Sequence, residues 1–367
     1  MAELIELATS DREEALCRVL EVLDQGGLVL LPTETVYGLG GRIDRPEALD
    51  RLRVFKGHRD ARAFTLHVGS PQDAFELGAD SPQARRLART FWPGPLTLVL
   101  DVEEDTHGFA EEFGRDTTLG LRVVAEAFTA ELLARCPVPL ILSSANPGGH
   151  GPPASLAEAL PEAEPAIDLA VDGGPAELGV PSSVVHVSAK GRIRILREGA
   201  VERTRILSSA ATLVLFVCSG NTCRSPMAEA LASDHWARCL GYPPDELIHA
   251  GLLVTSAGTA TLPGMPASPD AIEVMAELGL DLGMHRSRAL EPAMLARASR
   301  VYCMNRVHLV DCDAFLDQSG GPLDEFAEPP RLLAGDEEIP DPFGGGLAVY
   351  REIRDRILRS LDGALPV

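Results

Sequence analysis

A cysteine and an arginine bracket the stretch Cys218-Ser219-Gly220-Asn221-Thr222-Cys223-Arg224-Ser225-Pro226. Joined by small and hydrogen-bonding residues, they suit a loop that wraps an anion around a nucleophilic sulfur. Sulfur attacks as the thiolate, so its surroundings must favour the anion. The backbone N–H groups of Ser219, Gly220, Asn221, Thr222 and Cys223, the Arg224 guanidinium and the Ser225 hydroxyl are available for that task. Arg224 also carries the planar fork that grips two phosphoryl oxygens at once. Cys218 is therefore the candidate nucleophile and Arg224 the candidate clamp. Cys223 is open to two readings, a partner in a reversible disulfide that shields Cys218 from overoxidation or a small apolar filler.

Such a loop needs a rigid mount. Residues 213–217 are an apolar run that reads as a buried parallel strand, and residues 226–232 read as a helix with proline in its first turn. The loop then lies at a helix N-terminus, where backbone N–H groups and the helix dipole favour negative charge. A leaving group also needs a proton. Ile339-Pro340-Asp341-Pro342-Phe343-Gly344-Gly345 sets Asp341 on a stiff loop as a candidate general acid, with a plain turn aspartate as the competing reading.

Together these elements resemble the low-molecular-weight protein phosphatases over residues 212–361, including Thr255-Ser256-Ala257-Gly258-Thr259 and His285-Arg286-Ser287-Arg288. The resemblance implies a phosphocysteine at Cys218, hydrolysed by water with Asp341 as base, and no metal or other cofactor. Family members acting on phosphotyrosine usually carry a bulky aliphatic residue at the place of Thr222 and an aromatic hydroxyl pair at the place of Phe343-Gly344. The protein-arginine phosphatase branch resembles this chain better. A small polar side chain at Thr222 leaves room for a flat guanidinium, so phosphoarginine is the expected protein substrate and phosphotyrosine the second choice.

The other half is built differently. Residues Ser10 and Glu13 suggest a capping box, Leu16, Val19, Leu20 and Leu23 one helical apolar stripe, and Gly26-Gly27 its end. A strand over residues 28–31 runs into Pro32-Thr33-Glu34-Thr35-Val36-Tyr37-Gly38-Leu39-Gly40. The glycine run there opens no helix, so it reads as a glycine turn rather than a dinucleotide loop.

This half resembles the YrdC-like domain of threonylcarbamoyl-AMP synthases over about residues 5–201. The matching pieces follow in order: Lys56-Gly57, Thr65-Leu66-His67-Val68, Phe91-Trp92-Pro93-Gly94-Pro95-Leu96-Thr97, Gly120-Leu121-Arg122-Val123, Ser143-Ser144-Ala145-Asn146, Pro181-Ser182-Ser183-Val184-Val185 and Leu196-Arg197-Glu198-Gly199-Ala200. The resemblance implies that ATP, L-threonine and bicarbonate become threonylcarbamoyl-AMP and pyrophosphate, for transfer to tRNA by other proteins downstream. Lys56, Arg122 and Arg197 are then cationic partners for the phosphates, with Mg²⁺ accompanying ATP. Thr33, Ser144, Asn146 and Ser182 are candidate hydrogen-bonding ligands of threonine and nucleotide, and His67 a candidate contact or a core histidine. The family's usual Lys-x-Arg is altered here, with His58 at the second cation and Arg59 one place later as the candidate to fill it. The competing reading is a non-catalytic nucleotide- or RNA-binding module attached to a protein-tyrosine phosphatase.

Composition narrows the choice. With 33 Lys and Arg against 54 Asp and Glu, the formal charge of −21 argues against RNA as the main partner over most of the surface. The 7 cysteines show neither a disulfide framework nor a paired zinc pattern. A thiol nucleophile and the lack of a signal-like or membrane-length apolar run make the expected location cytoplasmic, without a membrane partner. The expected fold is α/β with two domains. An open twisted mixed sheet occupies residues 1–205, and a small doubly wound parallel sheet with a phosphate-binding loop occupies residues 212–367, joined by a short polar linker. Loops are expected near Pro152-Pro153 and over residues 320–335, the latter bordering the phosphatase pocket.

Overall fold

The period-2 alternation of the first internal strand divides the apolar residues between two faces. In the computed structural model, which describes residues 2–57, 64–102, 108–114, 117–147, 150–322, 324–362 and 364, Leu28 and Leu30 enter one core while Val29 and Leu31 enter another on the opposite face. The strand belongs to a 10-stranded mixed sheet. Its spatial order is Glu3–Glu6, Leu169–Asp172, Val29–Leu31, Gly38–Arg42, Leu140–Ser144, Thr65–His67, Thr118–Arg122, Leu96–Asp101, Ser183–Val187 and Ile193–Arg197. The glycine run is therefore a central strand, not a turn. Gly40 is needed there because a Cβ would lie 1.6 Å from the Ile141 carbonyl oxygen of the paired strand.

The second sheet is 4-stranded and parallel, in the order Leu252–Gly258, Thr212–Cys218, Arg300–Cys303, Arg331–Leu332. All 7 residues of Thr212–Cys218 are buried, as a central strand covered on both faces requires. Val214, Phe216 and Cys218 face one core with Met227 and Trp236, while Leu213, Leu215 and Val217 face the other with Leu295 and Cys312.

The chain divides into two compact units, Met1–Ala210 and Ala211–Val367. Two local expectations are corrected. The polar stretch before the second unit is no linker: Arg203–Ala210 is a helix whose Ile206 and Ala210 are buried in the first unit's core, the apolar spacing winning over the polar composition. The Arg12–Asp24 helix is capped by Asp11, whose carboxylate accepts from the Glu13 and Glu14 N–H groups at 3.0 Å, rather than by Ser10. Among the described residues no helix is long and apolar enough to cross a membrane.

Candidate active sites

In the first unit the ends of several strands surround a cleft of about 340 Å³. It gathers Thr33, His67, Arg122, Ser144, Asn146, Ser182 and Arg197, residues scattered over more than half of that unit's sequence. Arg122, at the end of its strand, is held by Glu34 Oε1 at 2.6 Å and by Thr35 Oγ1 at 2.7 Å. The ion pair is buried, its side chains 7% and 6% exposed, and the second Glu34 oxygen accepts the Ala125 N–H at 3.1 Å. A buried arginine without such a carboxylate would be strongly unfavourable, so Glu34 fixes the cation in place. Arg197 donates to the Ser182 carbonyl at 2.8 Å, and burial followed by the Arg122 charge pulls its pKa below the usual guanidinium range.

Lys56 stands beside this group. Its Nζ donates to the Ser144 and Asn146 carbonyls at 2.8 and 2.7 Å, and burial draws its pKa down to about 8. His67 is 4% exposed; burial, then the Arg122 charge, drives its pKa to about 3, so the ring is a neutral wall of the cleft. Thr33 bends the chain from within, its hydroxyl donating to the Val36 carbonyl at 2.6 Å. Asn146 lines the cleft, and its Oδ1 is buried without a hydrogen-bond partner among the described residues. Ser182 Oγ lies 2.9 Å from Thr97 Oγ1. Arg59, with His58, lies outside the described residues. Sequence reasoning overlooked Glu34, Thr35 and Thr97. The signal for Glu34 was an acid inside an otherwise apolar and hydroxylated run, where burial demands a cation.

In the second unit the loop 218–225 turns from the Thr212–Cys218 strand into the Arg224–Leu240 helix. Asn221 takes the left-handed conformation, φ 52°, and its N–H donates to Cys218 Sγ at 3.2 Å. Ser225 Oγ lies 2.9 Å from the same sulfur. The Asn221 side chain ties the ring together, donating to Ser225 Oγ at 3.0 Å and Ser256 Oγ at 2.8 Å and accepting the Arg288 N–H at 2.8 Å. Ser256 in turn donates to Glu229 at 2.6 Å, and His285 Nε2 reaches the Asn221 carbonyl at 2.8 Å. Gly258 permits the closeness of the neighbouring strand, since a Cβ there would sit 2.5 Å from the Ser219 carbonyl.

Arg224 is buried under this loop, donating to the Ile339 carbonyl at 3.1 Å and to Asp341 Oδ2 at 2.8 Å. The structure thus brings Cys218, Arg224 and Asp341 to one place, with Gly220 fixed through its carbonyl by the Thr261 hydroxyl at 2.6 Å. Cys223 points elsewhere: its sulfur lies 3.2 Å from the Tyr350 hydroxyl and 3.3 Å from Ser268 Oγ. Thr222 is partly buried, its backbone carbonyl accepting the Ser268 N–H at 2.8 Å. Within segment 320–335, Leu333 packs in the core that holds Cys218 and Cys223. Gly321, Pro322, Ala327, Glu328, Pro329 and Pro330 instead line a separate cleft with Leu295 and Leu316.

The geometry defines two kinds of unit, an anion-binding thiol loop on a parallel sheet and a cationic cleft in a mixed one. The chain belongs to two families in series: the Sua5/YciO/YrdC family, described as telomere recombination and matched over residues 21–199, and the low molecular weight phosphotyrosine protein phosphatases, matched over residues 213–365. Threonylcarbamoyl-AMP synthase of Bacillus subtilis is 29% identical over 202 residues, covering 55% of this chain and 57% of that one, so the chain spans little more than half of that relative's length. The mouse enzyme of the same name is 30% identical over 213 residues, covering 55% of this chain and 75% of the relative. A Ralstonia nicotianae protein named a probable low molecular weight protein-tyrosine-phosphatase, EpsP, is 31% identical over 153 residues, covering 42% of this chain and 93% of its own. A solved variant of Pyrococcus abyssi Sua5 shares the fold, with a TM-score of 0.52 at 23% identity over 77% of this chain and 90% of that chain.

Proposed function

We propose that the second unit hydrolyses phosphorylated protein side chains through a phosphocysteine on Cys218, and that the first makes threonylcarbamoyl-AMP from ATP, L-threonine and bicarbonate. The observation that carries the phosphatase reading is the sulfur of Cys218 receiving the Asn221 N–H at 3.2 Å above a buried arginine. Substrate phosphoryl oxygens replace Asp341 on Arg224. The released carboxyl then stands where it can protonate the leaving atom and later take a proton from the attacking water. Thr222, small and polar, favours a guanidinium leaving group, and phosphoarginine is the preferred substrate; the tyrosine-phosphatase name of the Ralstonia relative supports phosphotyrosine as the second reading.

In the first unit, Lys56 and Arg197 with Arg122 supply cationic hydrogen-bond donors for the triphosphate, and Ser144, Asn146 and Ser182 supply directional partners for threonine and nucleotide. Mg²⁺ enters as the counter-ion of the substrate ATP. The product is passed to tRNA-modifying proteins, and a reducing cytoplasm suits the thiol chemistry. Pyrophosphate release that requires both threonine and bicarbonate is the expected result; ATP binding without such release would leave a nucleotide-binding module. For the second unit, hydrolysis of phosphoarginine and phosphotyrosine peptides should vanish in Cys218→Ser, and turnover surviving that change would overturn the mechanism.

A further inference from the structure

One contact at the phosphate loop is left unused by the mechanism. Ser219, the residue after the nucleophile, has its Oγ 2.9 Å from Nε2 of His308. His308 is 1% exposed and stands in the first turn of the Arg306–Ser319 helix, its backbone N–H capped by Asn305 Oδ1 at 3.0 Å. Its Nδ1 is buried and has no hydrogen-bond partner among the described residues.

Burial, followed by the charge of Arg224, pushes the His308 pKa down to about 4, so the ring is neutral at pH 7 and carries one proton. Placed on Nδ1, that proton would be a buried N–H with no acceptor, among the rarest defects of folded proteins. Placed on Nε2, it is donated to Ser219 Oγ. The hydroxyl has then accepted one hydrogen bond and keeps its own O–H to give. Its backbone is already anchored, the Ser219 carbonyl accepting the Ala260 N–H at 3.0 Å, so the freedom that remains is rotation of that O–H.

We infer that His308, as the Nε2–H tautomer, is a positioning residue that turns the Ser219 hydroxyl into an additional donor to the oxyanion held by the Cys218–Arg224 loop. The inference rests on reading that loop as the phosphatase site. Its ligand class is a tetrahedral oxyanion, and the probe is inorganic phosphate. Nitrogen-15 correlation spectra of the full chain should show the Nε2-protonated neutral tautomer for His308; an Nδ1-protonated ring or an imidazolium would overturn the assignment. Phosphate titrations should show Ser219→Ala weakening binding roughly three- to tenfold, the worth of one neutral hydrogen bond. His308→Leu should cost a similar factor, the double variant no more than either single one, and His308→Gln, whose amide nitrogen reaches the place of Nε2, should recover most of the loss. Unchanged affinity in Ser219→Ala, or losses that multiply in the double variant, would refute the inference. Binding is read without turnover, so hydrolysis of p-nitrophenyl phosphate by the unaltered chain tests the phosphatase reading separately.

Discussion

Each candidate site holds an arginine against a carboxylate, and the two pairs differ in the exposure of the acid. Arg122 and Glu34 are 7% and 6% exposed at 2.6 Å, whereas Arg224 is 4% exposed but its partner Asp341 is 53% exposed at 2.8 Å. In the first pair the carboxylate is buried behind an arginine that lines the cleft, so it is a permanent part of the wall. In the second, one partner is already half in solvent, so parting from the arginine costs it little desolvation. Burial of the acid separates a structural ion pair from an exchangeable one.

The sharpest way to break the comparison is at Asp341. Asp341→Asn should lower phosphatase turnover by about 10²- to 10⁴-fold while moving stability by less than about 1 kcal/mol, as read by steady-state kinetics beside urea unfolding. Glu34→Ala should do the reverse. It leaves a buried guanidinium unpaired and should destabilise the first unit by about 3–5 kcal/mol; a loss no greater than that of Asp341→Ala would erase the distinction drawn here.

Three smaller effects sharpen the contrast between a dispersed site and a contiguous one. Lys56 is cationic below about 8 and neutral above, so pyrophosphate release per ATP concentration should fall as pH rises through 8, and Lys56→Arg should move that limb to higher pH. Thr222→Ile should swing preference from phosphoarginine toward phosphotyrosine by about tenfold, measured as the ratio of kcat/KM for matched peptides. His67 titrates near 3 in the folded protein against an ordinary 6.5. Below 6.5 the unfolded chain takes up a proton that the folded one refuses, so stability must fall as pH drops toward 3. His67→Asn should flatten that part of the first unit's acid unfolding curve.

Legibility in the sequence followed contiguity. The loop from Cys218 to Ser225 was readable because strand, loop and helix N-terminus are consecutive and their backbone supplies most of the donors. The mixed sheet and the parallel sheet were expected from the ordered motifs that carry the two family resemblances. Partners brought by topology were not: His308 lies 89 residues from Ser219 in sequence, and inside a helix it looks like any other histidine. Glu34 sat within a quoted motif yet meant little until Arg122, 88 residues away, was beside it. Lys56 was expected among the phosphate ligands, and that its ammonium also bonds two carbonyls is something no spacing rule could reveal. The polar 202–211 stretch misled because three small or aliphatic residues on one helical face outweigh its serines and arginines.

That last helix has a practical consequence. It ends at Ala210 and the next strand starts at Thr212, so the seam between the two units is a single residue wide. A shortened gene stopped before Arg203 would strip Ile206 and Ala210 from the core they fill, and one begun a few residues after Thr212 would remove much of the central strand that carries Cys218. Anyone wishing to purify the halves apart has only the two peptide bonds that flank Ala211 in which to cut.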